Sequence, residues 1–92
     1  MKYWYVYIIL TDKGRLYTGI SPDPERRFFE HLLDPKKGAK FFRSDAPMRF
    51  VYLEAFENRS LASQKEYLIK KLSRTQKESL IADSSNLCLL GE

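Results

Sequence analysis

The chain has 92 residues and a mass of 10.9 kDa, which is enough for one domain with a thin hydrophobic core. Sixteen Lys and Arg against twelve Asp and Glu give a formal net charge of +4. The single cysteine, Cys88, excludes an internal disulfide and a cysteine-cluster metal site. The longest apolar run, residues 3–10, is too short to cross a bilayer and lacks the flanks of a signal peptide. We therefore expect a cytoplasmic protein without a membrane partner.

The positive charge is concentrated in two stretches. Residues 36–43 contain no acid and four cations, which are Lys36, Lys37, Lys40 and Arg43. Residues 59–77 contain six cations and a single acid, Glu66. Two such clusters suit a polyanion, most simply nucleic acid, while an ordinary solvated surface is the alternative that charge alone leaves open.

The first 20 residues predict a β-hairpin. Residues 4–10 are aromatic and β-branched, which is typical of a strand buried on both faces. Residues 12–14 fit a hairpin loop that ends in a left-handed glycine, and residues 15–20 form the returning strand. This register places Tyr7 opposite Gly19, which leaves space beside the Tyr7 ring.

The same register places Ile9 opposite Tyr17 on the returning strand. Residues that face one another across a hairpin share one face of the sheet. Tyr7 and Tyr17 are therefore predicted to be diagonal neighbours on that face.

A helix follows the hairpin. Asp23 is a typical N-cap and Pro24 a typical first residue, and the helix extends to about residue 33. Its apolar stripe predicts a buried face made of Phe28, Phe29, Leu32 and Leu33. Arg27 and His31 are four residues apart and are predicted to lie together away from that stripe.

The second half of the chain predicts a basic loop, a strand and two helices. The loop covers residues 36–45 and the strand residues 48–56, with Phe50, Tyr52 and Glu54 on one face and Val51, Leu53 and Ala55 on the other. Ser60 is a candidate cap for a helix over residues 61–72 with a core face of Leu61, Leu68, Ile69 and Leu72. A capping box over residues 73–76 begins a short last helix that ends at residue 81.

The resulting order, β-β-α-β-α-α, predicts an α+β domain with a small three-stranded antiparallel sheet flanked by helices. We expect this single domain to cover residues 1–82, followed by a C-terminal tail over residues 83–92.

Five scattered residues could carry chemistry: Tyr7, Tyr17, Arg27, His31 and Glu66. Glu66 lies at the edge of its helix's apolar stripe, where a carboxylate can hold Mg²⁺ together with water and phosphate oxygens. An ion pair with Lys70 or Lys65 is the alternative reading of the same residue.

The other four residues also have structural alternatives. Arg27 and His31 can clamp a phosphate and relay a proton, since Arg has a planar fork and His titrates near neutrality. A surface ion pair of Arg27 with Asp23 or Glu30 explains the position as well. The two tyrosines also fit as core aromatics whose hydroxyls reach the surface.

Taken together, the order and spacing of these residues resemble the GIY-YIG nuclease superfamily, in particular its small single-domain bacterial, YhbQ-like branch. Tyr5-Val6-Tyr7 and Tyr17-Thr18-Gly19 resemble the two halves of the motif, although Tyr5 replaces a glycine and Thr18 a branched apolar residue. The later similar blocks are residues 25–27 with His31, residues 37–40 with Arg43, residues 58–60, residues 65–67 and residues 69–74. The resemblance covers about residues 3–81.

The resemblance implies a metal-dependent endonuclease that hydrolyses phosphodiester bonds in DNA. Glu66 would bind Mg²⁺ or Mn²⁺, Arg27 would neutralise charge on the scissile phosphate, and Tyr17 would bond near the nucleophile or phosphate. Tyr7 or His31 would deprotonate the attacking water, and the sequence leaves that choice open. The expected nucleic-acid-binding residues are Gly19, Lys36, Lys37, Lys40, Arg43 and Lys70.

Two other functions remain open from the sequence. A nucleic-acid-binding module with little or no cleavage would use the same basic stretches. A partner-binding protein would use the apolar patch over residues 87–90. Family nucleases often carry an attached recognition domain, so a partner protein that supplies the target is a further expectation.

Overall fold

A three-stranded antiparallel sheet forms the centre of the fold. The computed structural model describes residues 2–34, 36–83 and 86–90. In chain order its elements are β1 (Trp4–Thr11), β2 (Leu16–Ser21), α1 (Pro24–Leu33), a 3-10 turn (Lys40–Arg43), β3 (Pro47–Phe56), α2 (Arg59–Lys70), α3 (Arg74–Ile81) and α4 (Leu87–Leu90). Strand β1 lies between β2 and β3. The predicted α+β class and element order are confirmed, and the 3-10 turn and α4 are additions to it.

The hairpin has the predicted register. Tyr7 pairs with Gly19 and Ile9 with Tyr17. Gly14 has a φ of 82°, the left-handed conformation expected of it. The buried carboxylate of Asp45, which lies outside the hairpin in sequence, also stabilises the hairpin loop. It accepts hydrogen bonds from the side chains of Thr11 (2.6 Å) and Arg15 (2.8 Å) and from the backbone N–H of residue 13 (2.9 Å). Although burial opposes it, these bonds hold the pKa of Asp45 below its usual value.

Strand β3 departs from the predicted alternation. Ile8 pairs with Tyr52 and Ile9 with Phe50, so Val51 is an extra residue in the β1–β3 ladder. Such a bulge moves the residues beyond it to the opposite face. The predicted shared face of Phe50 and Tyr52 is therefore wrong, because Phe50 packs with the cluster around Tyr7 and Tyr52 packs with the cluster on the other face.

The two faces of the sheet carry separate cores. One core contains Val6 and Ile8 with Ala62 and Ile69 of α2, and α3 packs at its border. The other core contains Tyr7 and is covered by α1 and the 3-10 turn, with Tyr7, Ile9 and Phe42 as its buried residues and Tyr17, Phe28, Ala39, Phe41, Phe50 and Leu53 around them.

The predicted buried face of α1 is largely wrong. Phe29, Leu32 and Leu33 are exposed, and only Phe28 of the predicted stripe packs in the core. The buried residue of α1 is His31. The reason is that the segment after α1 folds back over this end of the helix and covers the imidazole.

Helix α2 also differs from its prediction. It begins at Arg59 with Asn58 as N-cap, whose side chain accepts from the backbone N–H of Leu61 (3.0 Å), so the predicted cap at Ser60 is wrong. Leu61 and Leu68 are exposed, whereas Ala62 and Ile69 are buried. The capping box of α3 is confirmed, with Ser73 and Gln76 bonded reciprocally.

Asn86 joins the end of the chain to the edge strand β3, a contact that the sequence did not predict. Its buried amide donates to the carbonyls of Val51 and Ile81 (2.8 Å each) and accepts from the N–H of Leu53 (2.9 Å). Residues 84, 85, 91 and 92 of the predicted tail lie outside the described residues, as do the side chains at 89 and 90 of the proposed apolar patch. Within the described ranges, no helix has the length and apolar character that a membrane span requires.

Candidate active site

The Tyr7 side chain reaches from the central strand across Gly19 of the edge strand β2. A β-carbon at position 19 would lie 2.5 Å from Tyr7 Oη and 2.7 Å from Cζ. The glycine is required here by contact, since real β-carbons do not approach other atoms so closely. The prediction that Gly19 leaves space for the Tyr7 ring is confirmed, because the end of the ring occupies the position that a β-carbon would take.

His31 is the hydrogen-bond partner of the Tyr7 hydroxyl. The distance from His31 Nε2 to Tyr7 Oη is 3.3 Å, and both side chains are buried. The other ring nitrogen, Nδ1, accepts the backbone N–H of Ala39 at 3.0 Å. Tyr7 and His31 therefore meet inside the fold, whereas His31 was predicted to lie off the buried face of its helix.

These contacts assign the proton on the imidazole. Burial and, to a smaller extent, the positive charge of Arg27 lower the pKa of His31 to about 4 although Glu30 opposes them, so the ring is neutral at pH 7. Nδ1 must carry the lone pair because it accepts the Ala39 N–H, and we assign the proton to Nε2 on that ground. His31 consequently donates to Tyr7 and has no free lone pair.

Several neighbours act on the Tyr7 hydroxyl electrostatically. Burial raises the pKa of Tyr7 well above its usual value, and Tyr17 raises it further. The positive charge of Arg27 lowers it, and the negative charge of Glu66 raises it. The hydroxyl is therefore within electrostatic range of both the predicted phosphate clamp and the predicted metal ligand.

Tyr17 lies in an aromatic cluster next to Tyr7. Its ring centroid is 6.5 Å from that of Tyr7, 5.5 Å from that of His31 and 4.7 Å from that of Phe42. The predicted diagonal contact of the two tyrosines is confirmed.

Arg27 contacts both its own helix and the loop that follows it. Its Nη1 lies 2.9 Å from Glu30 Oε1 and donates to the carbonyl of Lys37 at 2.6 Å. The ion pair with Glu30 that the sequence left open as an alternative is therefore present. It leaves Arg27 one-third exposed, so the guanidinium remains accessible to a ligand.

Glu66 lies on α2 and its side chain is 23% exposed. The ion pair with Lys70 that the sequence left open is present, with 3.2 Å between Nζ and Oε2, while Lys65 pairs with Glu54 instead. In the described ranges, no three His, Cys, Asp or Glu side chains are grouped closely enough to hold a metal ion. A single carboxylate still fits Mg²⁺, which keeps several waters and binds through one or two carboxylates plus substrate phosphates.

The predicted nucleic-acid-binding cations lie on two elements. Lys36, Lys37 and Lys40 are exposed on the segment that covers His31, and Arg43 ends the 3-10 turn. Arg43 and His31 both border a small cavity of about 250 Å³. Lys70 is on α2 beside Glu66.

Two contributors to the site were missed by the sequence analysis. The first is the Ala39 N–H, which is a backbone group, so no pattern of side chains in the sequence predicts its contact with His31. Gly38 packs against α1 so closely that a β-carbon there would lie 2.8 Å from His31 Cα and 2.9 Å from the carbonyl oxygen of Glu30. A glycine within a basic loop was the available signal, but it does not identify what the glycine approaches.

Comparison with known proteins agrees with the family resemblance seen in the sequence. The model of the GIY-YIG catalytic domain matches residues 3–79. A UPF0213 protein of Desulfotalea psychrophila is 46% identical over 88% of this chain and 73% of its own length. The UPF0213 protein YhbQ of Escherichia coli is 39% identical over 98% of this chain and 88% of its own length.

A solved structure is also similar. The solution NMR structure of the UPF0213 protein BH0048 from Bacillus halodurans is 38% identical and has a TM-score of 0.58. The match covers 90% of this chain and 86% of that one.

Proposed function

Because the chain belongs to the GIY-YIG catalytic-domain family, we propose that it is a divalent-metal-dependent endonuclease that hydrolyses phosphodiester bonds in DNA. The observation that carries the proposal is the convergence on the Tyr7 hydroxyl. His31 Nε2 is 3.3 Å from it, and the charges of Arg27 and Glu66 both act on it. A structural tyrosine does not need a buried imidazole bonded to its hydroxyl, with a cation and a carboxylate within electrostatic range.

Tyr7 is the better of the two candidate bases. The lone pair of His31 is occupied by the Ala39 N–H, so the imidazole cannot take a proton from water without breaking that bond. The Nε2–H of His31 and the charge of Arg27 both stabilise negative charge on Tyr7 Oη. In the phenolate form Tyr7 takes a proton from the attacking water, whose oxygen bonds to phosphorus as the bond to the leaving oxygen breaks.

The raised pKa of Tyr7 sets a condition on this role. In the free protein the side chain is a phenol at neutral pH, because burial disfavours the phenolate. Positive charge must therefore arrive with the substrate complex before Tyr7 can act as a base.

The remaining residues act on the phosphate. The exposed part of the Arg27 guanidinium neutralises charge that develops on the phosphoryl oxygens, and Tyr17 donates a hydrogen bond near them. Glu66 would hold the divalent ion, which when bound supplies positive charge that favours the Tyr7 phenolate and stabilises the leaving oxygen. Lys36, Lys37, Lys40, Arg43 and Lys70 would hold the flanking phosphates.

The test is cleavage of labelled single-stranded, duplex and branched DNA, with RNA alongside, in Mg²⁺ or Mn²⁺ and in EDTA. Glu66→Gln is the matched variant because it keeps the size of the side chain and removes its charge. We expect metal-dependent cleavage by the wild type that is lost in Glu66→Gln while DNA binding persists. Binding without cleavage on every substrate would contradict the proposal and favour the nucleic-acid-binding module.

The choice of base has its own test in pH–rate profiles. Tyr7→Phe should abolish cleavage at every pH, because no group replaces the hydroxyl. His31→Gln should lower the rate but keep its rise with pH, since Tyr7 still titrates. An unchanged rate in Tyr7→Phe would remove Tyr7 from the role.

A further inference from the structure

The segment over residues 36–40 has two kinds of contact. Its lysines face solvent, where the proposed function places DNA phosphates. Its backbone contacts both predicted catalytic side chains of α1, because the carbonyl of Lys37 accepts from Arg27 (2.6 Å) and the N–H of Ala39 donates to His31 (3.0 Å). The backbone of one short segment is thus hydrogen-bonded both to Arg27, the proposed phosphate-binding residue, and to His31, which bonds to the Tyr7 hydroxyl.

Gly38 sets how closely this segment approaches α1. A β-carbon at position 38 would lie 2.8 Å from His31 Cα, 2.9 Å from Glu30 O and 3.2 Å from Asp34 O. All three atoms belong to the backbone of α1 and of its C-cap residue Asp34, so no side chain can rotate away to make room. The Gly38 N–H also donates to Asp34 O at 2.9 Å, which fixes the segment on the end of the helix.

We propose that Gly38 is a positioning residue for cleavage, which holds the loop backbone where it fixes the His31 tautomer and the orientation of Arg27. This inference rests on the proposed function for its catalytic part. With Ala39 in place, Nδ1 of His31 is an acceptor and Nε2 donates to Tyr7. Without that N–H the imidazole can carry its proton on Nδ1 instead, and Tyr7 must then donate to Nε2, which opposes loss of the Tyr7 proton.

The same placement links substrate binding to alignment. Phosphates that bind Lys36, Lys37 and Lys40 hold the segment on which those residues lie. They therefore strengthen the contacts that its backbone makes with His31 and Arg27. The binding of DNA phosphates to the lysines and the hydrogen bond from His31 to the Tyr7 hydroxyl then both depend on the position of this loop.

The first measurement is the nitrogen NMR spectrum of the imidazole, which is unambiguous because His31 is the only histidine. We expect a pyridine-type signal for Nδ1 and a pyrrole-type signal for Nε2 in the wild type at pH 7. In Gly38→Ala the two signals should move toward each other as the tautomers mix. Lys36→Ala removes a cation from the same segment without touching its backbone bonds, and Ser44→Ala alters an exposed side chain nearby, so both should keep the wild-type signals.

The second measurement separates kcat from KM. Gly38→Ala should lower kcat about 10- to 100-fold with little change in KM, because misplacement of reacting groups costs rate rather than binding. Ser44→Ala is the matched control, because Ser44 is outside the proposed catalytic and binding residues, and it should leave both kcat and KM near their wild-type values. A Gly38→Ala protein with wild-type imidazole signals and a wild-type kcat would overturn the inference.

A second variant covers the case in which Gly38→Ala does not fold. Ala39 has a φ of −67°, which proline adopts, so Ala39→Pro keeps this backbone angle but puts a ring carbon where the N–H was, which removes the bond to Nδ1 and displaces the imidazole. It should shift the imidazole signals and lower kcat in the same way, and unchanged signals would overturn the inference. If the wild type does not cleave at all, the proposed function fails, and the imidazole signals alone decide whether the loop sets the tautomer.

Discussion

The hydroxyl of Tyr7 lies directly over Gly19, at a separation that leaves no room for a β-carbon on the edge strand. Tyr7 is 2% exposed, so its ring cannot swing into solvent to relieve a clash. Strand pairing places the two residues opposite each other, and only a glycine allows the phenol to cross the strand at that point. The position of the proposed base therefore depends on a residue with no side chain.

Gly19→Ala should displace the Tyr7 hydroxyl from His31. We expect the free energy of unfolding to fall by about 1–3 kcal/mol, as is usual for overpacking, and cleavage to fall at least about 10-fold, since the base is misplaced. Urea unfolding and initial cleavage rates measure the two effects.

A double-mutant cycle with Tyr7→Phe identifies the contact responsible. The phenylalanine lacks the oxygen that lies nearest to the new β-carbon, so the stability cost of Gly19→Ala should be smaller in that background by about 1 kcal/mol. If the stability costs of Gly19→Ala and Tyr7→Phe are additive, the alanine destabilises the protein through a contact other than the one with the Tyr7 hydroxyl.

Thr18 differs from the branched apolar residue expected at the centre of the second motif half. Thr18 is buried. In the part of the chain that the structure describes, its hydroxyl is the only buried side-chain polar group that has no hydrogen-bond partner. Thr18→Val should raise the free energy of unfolding by about 1–2 kcal/mol, since an unsatisfied hydroxyl is removed without a change of shape.

The matched control for that prediction is Thr11→Val. The Thr11 hydroxyl donates to Asp45 (2.6 Å) and accepts from the backbone N–H of Arg15 (2.9 Å). The same chemical change should therefore destabilise the protein at position 11. A loss of stability in both variants would contradict the assignment of an unsatisfied hydroxyl at Thr18.

Local signals in the sequence predicted much of the fold. The register of the hairpin follows from a glycine loop of fixed length, and the caps of α1 and α3 follow from side chains that bond within one turn. The contact between Tyr7 and Tyr17 follows from that register. In each case the partners are close in sequence, so the pattern contains the whole interaction.

Interactions between distant segments were not predictable in the same way. The burial of His31 depends on the loop that folds over it, and helical periodicity carries no information about that loop. The bulge at Val51 is accompanied by a hydrogen bond from the Asn86 side chain to the Val51 carbonyl, and Asn86 lies 35 residues later. Gly38 is compatible with any loop, and its contact with α1 emerges only from the tertiary structure.

The stability of the protein should depend on pH through His31. Its pKa is about 4 in the folded protein, against 6.5 in the unfolded chain, so the unfolded state binds more protons between those values. The contribution of the neutral imidazole is fully present above pH 6.5 and is lost as the pH falls toward 4. Between pH 7 and pH 5 the free energy of unfolding should fall by about 2 kcal/mol.

Urea unfolding of the wild type and of His31→Gln at several pH values checks this prediction. Since the chain has one histidine, the variant should lack most of the slope between pH 7 and pH 5. The range ends at pH 5 because the carboxylates begin to contribute below it. Parallel profiles for the two proteins would show that His31 titrates normally and is not buried as a neutral ring.

The loop lysines should contribute to the salt dependence of DNA binding. Each phosphate contact contributes about 0.9 to the slope of log affinity against log salt for duplex DNA, and about 0.7 for single strands. Replacing Lys36, Lys37 and Lys40 together by Ala should therefore reduce the slope by about 2 to 3. Lys71→Ala is the control, because Lys71 lies over the Tyr67 ring (4.3 Å) and is not among the predicted contacts.

Two proposed roles compete in the Lys70–Glu66 ion pair, namely metal binding by Glu66 and phosphate binding by Lys70. The ammonium of Lys70 lies 3.2 Å from the carboxylate that would bind the divalent ion, and it repels a second cation there. Lys70→Ala should lower the Mg²⁺ concentration needed for half-maximal cleavage several-fold, although DNA binding weakens through the loss of a phosphate contact. Such an exposed pair contributes only about 0.5 kcal/mol or less to stability, so the fold should be unaffected.

Magnesium titrations at saturating DNA separate these two effects. Lys71→Ala makes the same change of charge one residue further along and should leave the half-maximal Mg²⁺ concentration near its wild-type value. If Lys70→Ala instead leaves the Mg²⁺ dependence unchanged while Glu66→Gln abolishes cleavage, the carboxylate acts on the reaction without holding the ion. Glu66 would then be a hydrogen-bond acceptor for substrate or water, and the metal would have to be bound elsewhere.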